Sequence, residues 1–416
     1  MIRSFLLALL IGLVPLTAAG QFAEIPNMRP SGQAGATMFE PPVTDDTDFD
    51  GFELAIGGAF AQQLQGVTHS GPNLDNDGIG RGFNLATANL DLDARMAQGI
   101  NLHVRTYLSS RHHPEAWVKG GYLQVNELPM FNSAAVDRVM DNLSIRAGHF
   151  MPNYGDTHYR RTDNADAIHN PFVGNNIVDA FTTEVGAEAT VKSNGFLAVG
   201  GFGGALNPTV NNPDDRAPSF HGKLGYDSQV NELIRVRLTG SAYYTANSND
   251  GQLHSGDRAG SRYYNVVGGG DWSGRLRVNY GEQTTAFMLN PFVQIGGLEL
   301  FGTIETITGE AAGFDDPQTN QYAAEAVYRF ADEDLFAGIR YNTVEGDLDH
   351  SGRGEPANWS SGNSVDRWQF SAGWYMTENI LVKGEYVTQS YDGFPQGLSR
   401  TDAEFDGLMI EGVVSF

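Results

Sequence analysis

The 416-residue chain contains no cysteine. Disulfide cross-links and lipid attachment through an N-terminal cysteine are thereby excluded, so the fold has to be held by hydrogen bonds and packing alone. Beyond the first twenty residues no apolar run approaches the ~20 residues that a membrane-spanning helix needs. Basic residues are scarce as well: 26 Lys and Arg stand against 50 Asp and Glu, a formal charge of -24. That balance excludes a nucleic-acid-binding surface. Neither G-x-S-x-G nor H-E-x-x-H occurs, so nucleophilic and zinc hydrolysis have no spacing to support them and no enzyme activity is expected.

What is present begins with Arg3, an apolar run from Phe5 to Leu16 and the small residues Thr17, Ala18, Ala19 and Gly20. This pattern reads as a cleaved secretory signal peptide over residues 1–20. Residues 21–50 then form an N-terminal segment on the periplasmic side, and 51–416 carry the fold. The 51 glycines and 11% aromatics favour one large β structure. In lipid such a structure has to close into a barrel, because no water is there to satisfy an open edge.

Alternation of apolar and polar residues recurs throughout. Leu408, Ile410, Val414 and Phe416 oppose Met409, Glu411 and Ser415; Ile234, Val236 and Leu238 oppose Arg235, Arg237 and Thr239; Trp368, Phe370 and Trp374 oppose Gln369, Ser371 and Tyr375. Lipid outside and water inside produce this period of two. Soluble sandwiches alternate too, and the spacing of the connections separates the two cases. Tight turns near Met96–Gly99, Ser193–Gly195, Gly296–Gly297 and Thr377–Asn379 alternate with long loops such as Ala61–Gly82, Met151–Thr182, Ala246–Asp271 and Val344–Asp366. Eight long loops predict an all-β transmembrane antiparallel barrel of about 16 strands (roughly 14 to 18), with short periplasmic turns and long extracellular loops. Asn126–Asn142 is a long periplasmic turn with a helix expected at Ser133–Met140. The stretch Trp272–Ile295 changes its facing parity and reads as one bulged strand or two short ones.

Phe405-Asp-Gly-Leu-Met-Ile-Glu-Gly-Val-Val-Ser-Phe416 resembles the closing strand of outer-membrane barrels, whose terminal aromatic is read by the barrel-assembly machinery. The resemblance implies that machinery and the outer-membrane lipid of a diderm bacterium as partners. Arg146-Ala-Gly-His-Phe-Met-Pro-Asn-Tyr-Gly155 resembles the R-x-G-x-F-x-x-P motif of porins similar to the phosphate-selective O and P family. The lysine and arginine wealth of true phosphate-selective members is absent.

A barrel of this size keeps an aqueous lumen unless something fills it. The third long loop, near 151–182, is the expected filler. Its Asp156, Arg160, Arg161, Asp163 and Asp166 are candidate constriction residues, with a transverse field from the two arginines against facing carboxylates. Candidate wall residues are Arg105, Arg146, Arg235, Arg237, Arg275, Arg277, Arg340, Glu184 and Glu188. On this facing assignment inward cations slightly outnumber inward acids, about twelve to about ten. The expectation is a passive channel for small hydrophilic solutes or ions, leaning weakly to anions, in a possible homotrimer. A structural or adhesive barrel and a membrane-embedded hydrolase are the alternatives. Asp46-Thr-Asp48-Phe-Asp50-Gly51 matches the first half of a calcium loop, but Gly57 stands where the bidentate glutamate belongs. A turn before the first strand is favoured there, with no cofactor expected otherwise.

Overall fold

A computed structural model describes residues 25–44, 47–74, 79–109, 115–204, 217–247, 253–254, 265–268, 272–278, 280–311, 313–350 and 358–416. The expected signal peptide and Asp46 of the calcium-like turn lie outside the described residues.

Sixteen long antiparallel strands follow one another around a closed barrel. They are β1 (Glu53–Ser70), β2 (Thr87–Ala97), β3 (Ile100–Ser109), β4 (Glu115–Val125), β5 (Leu143–Phe150), β6 (Glu184–Ser193), β7 (Phe196–Gly204) and β8 (Pro218–Gln229). The second half comprises β9 (Ile234–Thr245), β10 (Gly281–Ile295), β11 (Leu298–Ala311), β12 (Gln318–Phe330), β13 (Leu335–Asp349), β14 (Trp359–Thr377), β15 (Ile380–Asp392) and β16 (Glu404–Ser415). β1 closes the ring by pairing with β2 from Glu53 opposite Arg95, and with β16 from Ala59 opposite Ser415. The two-residue strand Gly82–Phe83 adds to β1 above that junction.

Every neighbouring pair except the closing β1–β16 pair is joined by a direct connection of the chain, so the tight connections fix the register. Asn194-Gly195, with φ of 50° and 84°, supplies the two positive values a type I′ hairpin turn needs. The long periplasmic turn carries the helix α1 (Ala134–Met140). The facing follows the alternation: Leu408 and Ile410 are 64% and 52% exposed on the lipid side, whereas Met409 and Glu411 are buried inside.

Strand boundaries differ from the sequence expectation in two ways. β10 begins only at Gly281, with a register shift before Thr284. Arg275 and Arg277 therefore sit in the fifth extracellular loop, not on the wall; Arg275 is buried there and Arg277 is exposed. β1, β13 and β14 also run well into the expected loops, to Ser70, to Asp349 and from Trp359. The cause is physical: above the lipid the outward face carries Gln62 and Thr68 into water while the inward face carries Gln63 and Gln65 into the packed lumen. Polar residues thus stand on both faces, and the alternation that marks a spanning strand is lost while the backbone ladder continues.

The lumen is packed. The third loop (residues 151–183) is almost entirely buried inside the barrel. In the extracellular half its Val173, Ile177 and Val178 join Val266, Val267 and Leu276 of the fifth loop against strand residues such as Ile307, Val344 and Val365. Lower down, Ala167, Ile168 and Phe172 pack on Phe336, Tyr375 and Leu381. Burying each such large side chain contributes roughly 1.5–3 kcal/mol, enough in sum to offset ordering a long loop. In the periplasmic half the N-terminal segment from Ile25 to Thr44 enters the mouth, and its Phe39 packs on Phe292 and Phe301.

Candidate functional site

The third loop is rooted on β5 and β6 and anchored across the lumen on β12 to β15. The Lys383 ammonium donates to the carbonyls of Ala167, Asn170 and Phe172, each at 2.8 Å, and lies 3.2 Å from Glu411. Glu385 accepts from the amides of Val173 and Gly174 at 2.7 and 3.1 Å. Gln321 accepts from the Val178 amide and donates back to its carbonyl, as a strand neighbour would. Arg367 donates to Asn175 O at 2.7 Å and to the carbonyls of Ser273 and Gly274, tying both inward loops to β14. Backbone groups taken into the lumen have to find partners, and the polar inner face of the barrel supplies them.

The candidate constriction residues are brought into direct ion pairs. Arg160 lies 2.8 Å from Glu299 and 2.6 Å from Glu325, while Arg329 and Arg340 flank the same two glutamates at 2.5 and 3.5 Å. Arg161 pairs with Asp179 at 2.7 Å. Asp156 takes Lys223 at 2.9 Å and Arg237 at 2.8 Å. Asp166 meets Arg105 at 2.9 Å, and Arg105 also grips Asp91. The gap left between Arg160, Arg161, Asp179, Glu325 and Arg340 is a cavity of about 10 Å³, room for about one water. Arg160 and Arg161 thus hold the loop in place and do not stand across an open eyelet.

Burial pushes the Asp163 carboxyl up to about 8; Arg105 opposes this and Asp166, Asp179 and Asp91 reinforce it. Burial also pushes His169 down to about 3 and His158 well below its ordinary value. Both imidazoles are neutral at physiological pH.

Of the expected wall residues, Arg146 pairs with Glu188 at 2.9 Å, and His221 meets the same carboxylate at 2.8 Å. Arg235 pairs with Asp227 at 2.7 Å. Glu184 accepts from Tyr243 at 2.6 Å and from Ser219. Most of the inner face is sealed; Arg235 and Asp227 beside a periplasmic turn keep 21 and 22% exposure, and a broader wet sector is formed by Asp91, Asp93, His103, Arg105 and Arg146, with Asp166 of the loop, whose side chains keep 13–24%. Four of these residues lie in register on the adjacent strands β2 and β3, Asp91 opposite Arg105 and Asp93 opposite His103, and Arg146 is on β5.

No family model and no curated protein matches the chain. Solved structures do match in fold. OmpT of Vibrio cholerae, as expressed in the outer membrane, aligns over 89% of this chain and 99% of its own at 11% identity with a TM-score of 0.52. The outer membrane channel DcaP of Acinetobacter baumannii aligns over the same shares at 9% identity with a TM-score of 0.51. The fold is a porin-type outer-membrane barrel. Its home is the bacterial outer membrane, with the apolar outward band in lipid.

Within this porin-type barrel the Arg146–Gly155 segment has a local structural basis. Gly148 has φ of 141°, and a Cβ there would stand 2.5 Å from the Gly121 carbonyl. The Phe150 ring lies 4.5 Å from the Arg146 guanidinium. At the calcium-like turn, Arg95 donates to the carbonyls of Thr47 and Asp48, and among the described residues no three carboxylates or imidazoles gather to hold a metal ion. Two functional residues escaped the sequence reading. Arg367 shares the inward parity of Gln369 but sits directly after the expected loop Val344–Asp366, one residue before the alternation read from Trp368 onward. Glu40 lies in no periodic element, and the one available signal was Lys223, whose register partners Ser241 and Val199 carry no charge to neutralise it.

Proposed function

We propose that the protein is a passive diffusion channel for small hydrophilic solutes and ions, with its permeation lane along the inner face of β2 to β5. The observation that carries this reading is the wet sector: five charged or titratable wall side chains and Asp166 of the loop stay solvent-accessible side by side there, whereas most charged side chains of the wall are buried. Phosphate selectivity finds no support there, because Arg105 and Arg146 are each already bound to carboxylates. A homotrimer is the proposed assembly, after the trimer form of Vibrio cholerae OmpT, which shares the fold at 12% identity and a TM-score of 0.50. Lipid and the barrel-assembly machinery are the proposed partners, the latter through Phe416, whose backbone pairs with Gly58 at the closing seam. No enzymatic role is proposed.

Single-channel recording on purified protein in a planar bilayer tests the reading. Ohmic steps are expected, and deleting residues 157–176 should enlarge them several-fold by removing the crossbeam. Absence of any step from both forms would overturn the channel; unchanged steps after the deletion would show that the current bypasses the loop.

A further inference from the structure

The periplasmic mouth is occupied by the chain's own N-terminal segment. The carbonyls of Pro26, Asn27 and Val43 accept from Asn101, Gln124 and Asn126 at 2.8–3.0 Å on one side of the mouth. The Gln33 amide donates to Glu378 O at 2.8 Å in the turn between β14 and β15. Between these ends Glu40 reaches inward to two buried cations. Its carboxylate lies 2.8 Å from Arg237 and 3.1 Å from Lys223, and Asn153 donates to it at 3.3 Å. Phe39 lies under the same guanidinium, 4.3 Å from its ring centroid.

The charge balance shows what Glu40 does there. Lys223 and Arg237 are almost fully buried, and the other acids in contact are Asp156 and Asp227; the latter is shared with Arg235. Without Glu40 the pair keeps a positive excess in a place where an uncompensated charge costs several kcal/mol. Burial pushes the Glu40 carboxyl up, but Lys223 and Arg237 outweigh it and hold it below the ordinary carboxylate value, so it is ionised in place. The acid that completes this site comes from the segment that blocks the mouth, not from the wall.

We propose that Lys223 and Arg237 form a carboxylate-binding site of the lumen that Glu40 occupies as a built-in ligand, so that residues 25–44 are a stopper which a small monocarboxylate solute displaces by exchange. The inference rests on the channel reading above. Exchange, and not simple release, is favoured because departure of Glu40 alone leaves the buried cluster with an uncompensated positive charge. A tethered carboxylate competes at an effective concentration in the millimolar range, so free solute acts from about that level upward.

The test uses the full chain in planar bilayers, in potassium chloride and in potassium acetate adjusted to equal bulk conductivity. Wild type is expected to conduct several-fold better in acetate, with half the effect at millimolar concentration. Glu40→Gln should already conduct at the higher level in chloride and ignore acetate. A second variant, Gly32→Cys with Asn379→Cys, locks the stopper: a Cβ at Gly32 stands 3.4 Å from the Asn379 side chain and 2.7 Å from the Glu378 carbonyl, which has to give by a few tenths of an ångström, and the chain has no other cysteine. Oxidised, it should stay at the low level in both salts; reduced, it should conduct at the higher level in acetate. Equal conductance of wild type and Glu40→Gln in both salts, or of the oxidised and reduced pair, overturns the stopper. If Glu40→Gln, the reduced pair and the residue 157–176 deletion all fold yet none conducts, the channel reading itself fails and takes the stopper with it.

Discussion

A carboxyl group carried into the lumen without a cation of its own changes how the molecule responds to pH. Asp163 is such a group: its Oδ1 has no hydrogen-bond partner, and burial raises it to about 8. The folded value lies above the unfolded one near 3.9, so the contribution is fully present below pH ~4 and is lost as pH rises through about 8. Wild type should therefore lose stability between pH 6 and 9 by an amount on the order of a few kcal/mol, limited by local undocking of the loop. Asp163→Asn should flatten that slope. Thermal unfolding in detergent at the two pH values checks this, and an equal slope in both proteins would mean that Asp163 is already ionised at pH 6. Inward-facing wall residues such as Arg237, Arg340 and Glu188 were legible in the sequence because a strand fixes every second side chain to one face. Glu40 was not, because nothing periodic surrounds it and its role depends on where a terminal segment folds back.

At the scale of elements, the third loop was legible as a position in the order of strands, but not as a crossbeam. Its anchors are single polar residues on four distant strands, and the facing parity shows that Lys383 and Glu385 point inward without showing what they meet. Lys383→Met is the sharpest test of this element. It would leave three loop carbonyls short of a donor and Glu411 as a buried charge without its lysine. The cost should be about 3–5 kcal/mol, concentrated on docking of the loop, because the backbone ladder of the barrel does not depend on it. Limited proteolysis should then cut within residues 160–180 while the protein still migrates differently on gels before and after boiling. Persistent protection of the loop would show that its apolar contacts alone hold it. The start of β10 was misplaced for a related reason: buried Leu276 and Val278 mimic a strand, but they are buried by packing inside the lumen and not by pairing in the wall.

For the whole molecule the formal charge of -24 says little about which ions pass, because loop charges farther than about a Debye length, ~8 Å, from the lane are screened. The expected lean to anions relied on unopposed arginines along the wall. Arg235 and Arg237 are instead bound to carboxylates, and Arg275 and Arg277 lie in a loop. What faces water in the lane is Asp91, Asp93 and Asp166 against Arg105 and Arg146, with His103 beside Asp93 at 2.6 Å. Arg146 is balanced by Glu188, and Arg105 by either of its two aspartates, so Asp93 and one more carboxylate remain as the net charge of the passage. The proposed channel should therefore show a modest preference for cations at neutral pH. Asp93→Asn should bring the reversal potential in a potassium chloride gradient closer to zero. Arg235→Ala, whose guanidinium is paired with Asp227 on β8 and β9 off the lane, should leave it unchanged. An anion preference in wild type, or a response to Arg235→Ala with none to Asp93→Asn, would show that ions travel past β8 and β9 and not along the wet sector.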